Sequence, residues 1–304
     1  MTVKNDATEA LLPGFGYGYD LAGNRTSATY NGAGPIWTAN AQNQLEGTTA
    51  GGGVTRVTGT VSKPSTVKVN GQAVPVSSNG GGPLTWETML YLASGANQFP
   101  VEATETNPTP GFNAQKTTRT LRIDSAAATY GYDANGSLTG DGGVRSFEWD
   151  AANRLVAINY TGSSKRTEFS YDGLNRRVRT IERDGATVLN DRRLVWDSLV
   201  EYEERDSATN AVLKRFYPQG YLTRANASDP FTAYLTTSDH LGSVREVVDE
   251  AGTVHARYDY DPYGVRTKLS GDLEADFGYT GHSYHVASGL HMAPYRAYDA
   301  ALVP

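Results

Sequence analysis

The sequence predicts an all-β protein: a strip of β-hairpins with a small β-sandwich inserted into it. Three observations carry this prediction. A short pattern occurs five times: aromatic, any residue, aromatic, Asp, any two residues, then Gly or Asn. The composition, with 33 Gly, 19 Tyr and 13 Pro, suits strands and turns better than helices. One stretch, residues 51–124, lacks the pattern and is divided instead into short strands of its own.

The five copies are Tyr17-Gly18-Tyr19-Asp20-Leu21-Ala22-Gly23, Tyr130-Gly131-Tyr132-Asp133-Ala134-Asn135-Gly136, Phe147-Glu148-Trp149-Asp150-Ala151-Ala152-Asn153, Phe169-Ser170-Tyr171-Asp172-Gly173-Leu174-Asn175 and Tyr258-Asp259-Tyr260-Asp261-Pro262-Tyr263-Gly264. Aromatics at i and i+2 share one face of a strand. Asp suits the first position of a type I turn, where its carboxylate accepts from backbone amides. Gly or Asn three residues later tolerates positive φ. Each copy therefore reads as strand, then turn. Beyond the turn the chain alternates again, as in Arg154-Leu155-Val156-Ala157-Ile158 and Arg176-Arg177-Val178-Arg179-Thr180-Ile181, placing apolar side chains on one face and cations on the other. The register predicts Tyr171 largely buried against neighbouring aromatics, with Asp172 and Asn175 holding the turn that follows.

Within 51–124, Val57–Val61, Thr66–Asn70, Ala73-Val74, Thr85-Trp86, Val101–Thr104 and Arg119–Ile123 read as short strands, with Asn70-Gly71 as a hairpin turn. Six or seven strands at this spacing suit a small sandwich bounded by Gly51-Gly52-Gly53 and about Asp124.

At 304 residues the chain has room for two domains. Hydrophobic residues reach 38%, so sheets with one wet face are expected. The net charge is −6 without a run of Lys or Arg, which argues against nucleic acid as a partner. There is no cysteine, hence no disulfide or thiolate chemistry. No apolar stretch follows Lys4 to form a leader, and none approaches the roughly 20 residues of a membrane span.

Three constellations hint at chemistry. Asp276, His282, His285 and His291 are zinc-ligand types, but their spacing matches no zinc motif. Asp259-x-Asp261-x-x-Gly264 echoes a calcium loop, yet Tyr263 and Ser270 stand where acidic ligands belong. Asp239, His240 and Ser243 are the types needed for acyl transfer, but they are near neighbours and no Gly-x-Ser-x-Gly elbow supports them. No catalytic, cofactor-binding or metal-ligating residue is assigned, and no cofactor is expected.

The five copies resemble YD repeats, the unit of bacterial RHS proteins and of teneurins. The run Asp239-His240-Leu241-Gly242-Ser243-Val244-Arg245-Glu246-Val247, then Asp249 to Gly252, Tyr258 to Gly264, Phe277-Gly278-Tyr279-Thr280-Gly281, Ser288-Gly289-Leu290 and Pro294 to Asp299, resembles the opening of the RHS-associated core. The resemblance covers about residues 13–47 and 125–304. It implies a teneurin-like YD-shell, a β-strip that coils into a hollow wall around a toxin in toxin-bearing members. The segments expected are 1–50, a first YD-repeat stretch; 51–124, an inserted bacterial Ig-like β-sandwich; 125–235, further YD repeats; and 236–304, a truncated start of the RHS-associated core.

About 230 residues of repeat give about 23 strands, a strip about 110 Å long. Enclosing a toxin of about 130 residues needs a circumference of about 150 Å and at least two turns. The strip is thus expected to be a curved partial shell. In full-length relatives the final Tyr-Asp leads into a segment whose aspartates self-cleave; here Ala300 to Pro304 comes instead. The resemblance accordingly implies a structural, non-enzymatic shell segment of a secreted or cell-surface bacterial polymorphic-toxin protein, as a fragment or remnant. Its expected partners are the remaining shell segments or an encapsulated toxin. The alternative is an extracellular carbohydrate-binding or adhesion module holding cell-surface glycans.

Overall fold

The computed structural model describes residues 14–30, 32–48, 53–78, 84–110, 113–125 and 127–302. Regular structure among them is all strand apart from one 3-10 turn, Tyr279–Gly281. The largest sheet is antiparallel and has sixteen strands. From Ala128–Tyr132 to Arg266–Gly271 they are neighbours in the order of the sequence, and Leu45–Thr48 and Trp37–Ala39 lie beyond Ala128–Tyr132. The two end strands are not paired with each other, so the sheet is open.

The chain divides into two compact units, Met1–Tyr130 with Tyr260–Asp272 and Ala301–Pro304, and Gly131–Asp259 with Leu273–Ala300. In the first unit, Gly53–Val61, Leu84–Leu92 and Val76–Ser78 form one sheet, and Lys116–Ser125, Gly95–Glu105, Ser65–Val69 and Gln72–Val74 another. Val67, Val69, Val74 and Phe99 of one sheet meet Leu90 and Leu92 of the other in a single apolar core. Asn70 and Gly71 both have positive φ, which matches a two-residue hairpin turn to the twist of the strands it joins.

In the second unit, the ladder runs through Arg145–Trp149, Leu155–Tyr160, Lys165–Tyr171, Arg177–Asp184 and Thr187–Asp197. A small C-terminal sheet, Ser283–His285, Leu290–Met292 and Ala297–Tyr298, covers one face, where Leu290 and Met292 share a core with Phe147, Leu155, Ile158 and Phe169.

Strict alternation does not survive the turns. The pairing slips by one residue between Glu148 and Trp149, between Ser170 and Tyr171, and between Val195 and Trp196. Such a bulge resets which face later side chains occupy. Leu155 and Ile158, an odd number of residues apart, therefore enter the same core. The slip also corrects the expectation that cations stay on the wet face. Arg177 is 6% exposed and pairs with Glu201, whereas Arg179 meets Asp191 near solvent.

Candidate functional site

The recurring site is the turn. At Asp150, the backbone N–H donates to Arg154 O at 3.0 Å, and Asn153 N–H returns to Asp150 O at 2.9 Å. The side chain completes the loop: Oδ1 accepts from Ala152 N–H at 2.9 Å and Arg154 N–H at 3.0 Å. Asn153 adopts φ +56°, the left-handed conformation that ends a type I turn in a bulge. The same pair of backbone bonds occurs in the turns opened by Asp20, Asn40, Asp133, Asp172, Asp239, Asp249 and Asp261. Each also uses the same two side-chain bonds, from residues i+2 and i+4. Where residue i+4 is Arg or Asn its side chain adds a clamp, as when Arg154 Nε donates to Asp150 Oδ2 at 2.7 Å and holds that carboxyl below its usual range.

Two features of the unit escape a reading of spacing alone. In six of the eight turns the fifth residue after the opener is buried, namely Arg25, Leu45, Leu155, Arg177, Val244 and Arg266, while Leu138 and Val254 are half-buried. Trp149 and Tyr171, second aromatics of two copies, and Trp196, which precedes Asp197 in the same way, are half-buried, and each donates its indole N–H or hydroxyl to a backbone carbonyl at the inward position one repeat back. Trp149 Nε1 donates to Leu138 O at 2.7 Å, Tyr171 OH to Leu155 O at 2.7 Å, and Trp196 Nε1 to Arg177 O at 2.6 Å. Tyr171 packs, as expected, against a core that contains Phe147 and Phe169, but is not fully enclosed. It lies on the edge of the apolar core with the Arg154 guanidinium 5.2 Å from its centroid. A legible signal existed, since all five copies have Tyr or Trp, never Phe, at the second aromatic.

Adjacent turns are stitched together. Asn135 Nδ2 donates to Asn153 Oδ1 at 3.1 Å, Arg154 Nη1 to Asn175 Oδ1 at 3.2 Å, and Arg176 Nη1 to Ser198 O at 2.9 Å. The result is a continuous polar rim along one end of the ladder.

The covered sheet face is partly charged. Arg177 Nη2 donates to Glu201 at 2.9 Å, Lys214 pairs with Asp276, and His285 Nε2 lies 3.4 Å from Glu182. Burial pushes the Glu201 and Glu204 carboxyls up, against the pull of Arg177 and Lys214 respectively.

Most residues of the three constellations have structural partners. Asp276 pairs with Lys214, His282 Nδ1 is hydrogen-bonded with Thr280 Oγ1, His285 Nδ1 with Ser288 Oγ, and His291 packs among Tyr279, Tyr284 and Tyr298. Asp261 opens a turn and accepts from Tyr91 OH at 2.9 Å; Asp259 pairs with Arg245. Asp239 opens a turn, and Ser243 Oγ accepts from Thr280 N–H at 3.1 Å. Among the described residues, no three His, Cys, Asp or Glu side chains are grouped to hold a metal, and no helix is long and apolar enough to cross a membrane.

Residues 115–303 match the family model for the teneurin YD-shell. Among curated proteins, the tRNA3(Ser)-specific nuclease WapA of Bacillus spizizenii is 28% identical over 173 residues, and the tRNA nuclease WapA of Bacillus subtilis 26%. Each match covers 55% of this chain and 7% of the relative, so the chain spans a small part of their length. Among solved structures, the Photorhabdus luminescens Tc holotoxin pore with a mutated TccC3 is 14% identical with a TM-score of 0.43, covering 98% of this chain and 15% of that one. The crystal structure of TcdB2-TccC3 is 13% identical with a TM-score of 0.43, covering 98% and 16%.

Proposed function

The chain belongs to the teneurin YD-shell family, and from that premise we propose that it is a non-enzymatic wall segment of a bacterial RHS-type, toxin-carrying protein that is secreted or displayed at the cell surface. The observation that carries this reading is the stitched rim. A turn device repeated at fixed register, with side chains bonding one turn to the next, builds a long sheet and supplies no reacting group. Its partners in this reading are further wall segments and an enclosed toxin.

The division at 1–50, 51–124, 125–235 and 236–304 belongs to the same proposal. Support for an inserted Ig-like module comes from the two sheets that share one core within 53–125.

The test is limited proteolysis of the protein that carries this chain with its flanking sequence. A wall protects an enclosed segment until the sheet is denatured; digestion of that segment at the rate of a free peptide would overturn the proposal. Intact-mass spectrometry of the purified chain after long incubation checks the non-enzymatic part, and a defined internal cut arising without added protease would count against it.

A further inference from the structure

Beside the turn rim of the second unit lies a cavity of about 490 Å³, bounded by residues 135–137, 153–155 and 292–297 and by the rings of Trp149 and Tyr171. We propose that it binds a small organic carboxylate with a planar apolar body.

The charge of the lining points to an anion. Arg154, Arg177 and Arg296 line the cavity, and no Asp or Glu does. Their neutralisation is uneven. Arg154 is committed to Asp150 and to the neighbouring turn, whereas Arg296 is exposed. Arg177, 6% exposed, has Nη2 on Glu201 and on Ser283 Oγ but no hydrogen-bond partner for Nε. Burial pushes the Glu201 carboxyl up, against the pull of Arg177.

The remaining wall selects the body of the ligand. Trp149, Tyr171 and Pro294 present flat apolar surface. The ring donors of Trp149 and Tyr171 are already used on Leu138 O and Leu155 O, so polar recognition falls to the guanidiniums. A guanidinium matches a carboxylate in a two-pronged, planar geometry. The volume lies in the range of about 300–1,000 Å³ usual for small-molecule sites.

The test is titration of the full chain, by calorimetry and by amide shifts near Trp149, with benzoate, benzamide and inorganic phosphate. Benzoate is expected to bind, with benzamide and phosphate each about tenfold weaker or more, since one lacks the charge and the other the planar body. Arg296→Ala, a change at an exposed position, should weaken benzoate about fivefold or more while leaving the melting temperature unchanged. The proposal falls if benzoate does not bind, if benzamide or phosphate binds as tightly, or if the folded Arg296→Ala variant binds benzoate unchanged.

Discussion

Arg154 ties two successive turns together: its Nε donates to Asp150 Oδ2 at 2.7 Å while its Nη1 donates to Asn175 Oδ1 at 3.2 Å. One fork-shaped side chain thus closes its own turn and fixes the distance to the next. Lys has a single point charge and cannot do both. Arg154→Ala is expected to cost about 1–2 kcal/mol, and Arg154→Lys to recover less than half of that. Urea unfolding at unchanged slope checks the order; equal stability of the two variants would show that charge alone mattered.

Asn175 carries a second, separable task. Its backbone sits at φ +63°, where a β-branched side chain clashes with its own carbonyl. Asn175→Val should therefore cost about 1–2 kcal/mol. Asn175→Gly keeps the backbone relaxed and loses the acceptor for Arg154, so its cost should stay within about 0.5–1 kcal/mol. Thermal melts of both variants decide this, and a Gly variant as damaged as the Val variant would refute the conformational argument.

The strand-and-turn repeat was legible because its chemistry is local: Asp accepts from amides two and four residues on, and Asn or Gly tolerates positive φ wherever the chain is placed. Asn40 was missed because Asn there replaces Asp as turn opener, although its Oδ1 makes the same bonds to Gln42 and Gln44. The buried positions of Arg177 and Arg25 were not legible. They depend on a one-residue slip against the partner strand, as between Ser170 and Tyr171 or between Gly18 and Tyr19, and the sequence of one strand does not contain that slip. The link from Trp196 to Arg177 O spans 19 residues and likewise depends on how strands pair.

The two rings of one repeat should differ in weight. Phe169 is 5% exposed within the apolar core, whereas Tyr171 sits half-buried at its edge. Phe169→Ala is expected to cost about 3–5 kcal/mol, with Tyr171→Ala about 1 kcal/mol less. Tyr171→Phe removes just the bond to Leu155 O and should cost about 1 kcal/mol. Chemical denaturation of the three variants tests the ranking, and a Tyr171→Phe variant as stable as the parent would mean that the ring bond contributes nothing.

Opposite pH responses are expected from two glutamates. Glu204 is paired across strands with Lys214, and burial outweighs that cation, so its carboxyl titrates above the ordinary value in the folded chain. Between the ordinary and the raised value the unfolded chain binds fewer protons than the folded one, so stability falls as pH rises through that window. Glu204→Gln should therefore be more stable than the parent at about pH 7.5 and lose that advantage at about pH 3, where both forms of the acid are protonated. Glu148 runs the other way. Hydrogen bonds from Arg166 and then Asn159 lower it to about 2, so its contribution is present above the ordinary carboxylate value and lost as pH falls towards about 2. It is half exposed, which keeps the effect of Glu148→Gln small and salt-sensitive. Urea midpoints of the parent and both variants at the two pH values should show Glu204→Gln gaining and Glu148→Gln losing stability on going from acid to neutral. A Glu204→Gln variant less stable than the parent at neutral pH would mean that attraction to Lys214 exceeds the cost of burying the charge.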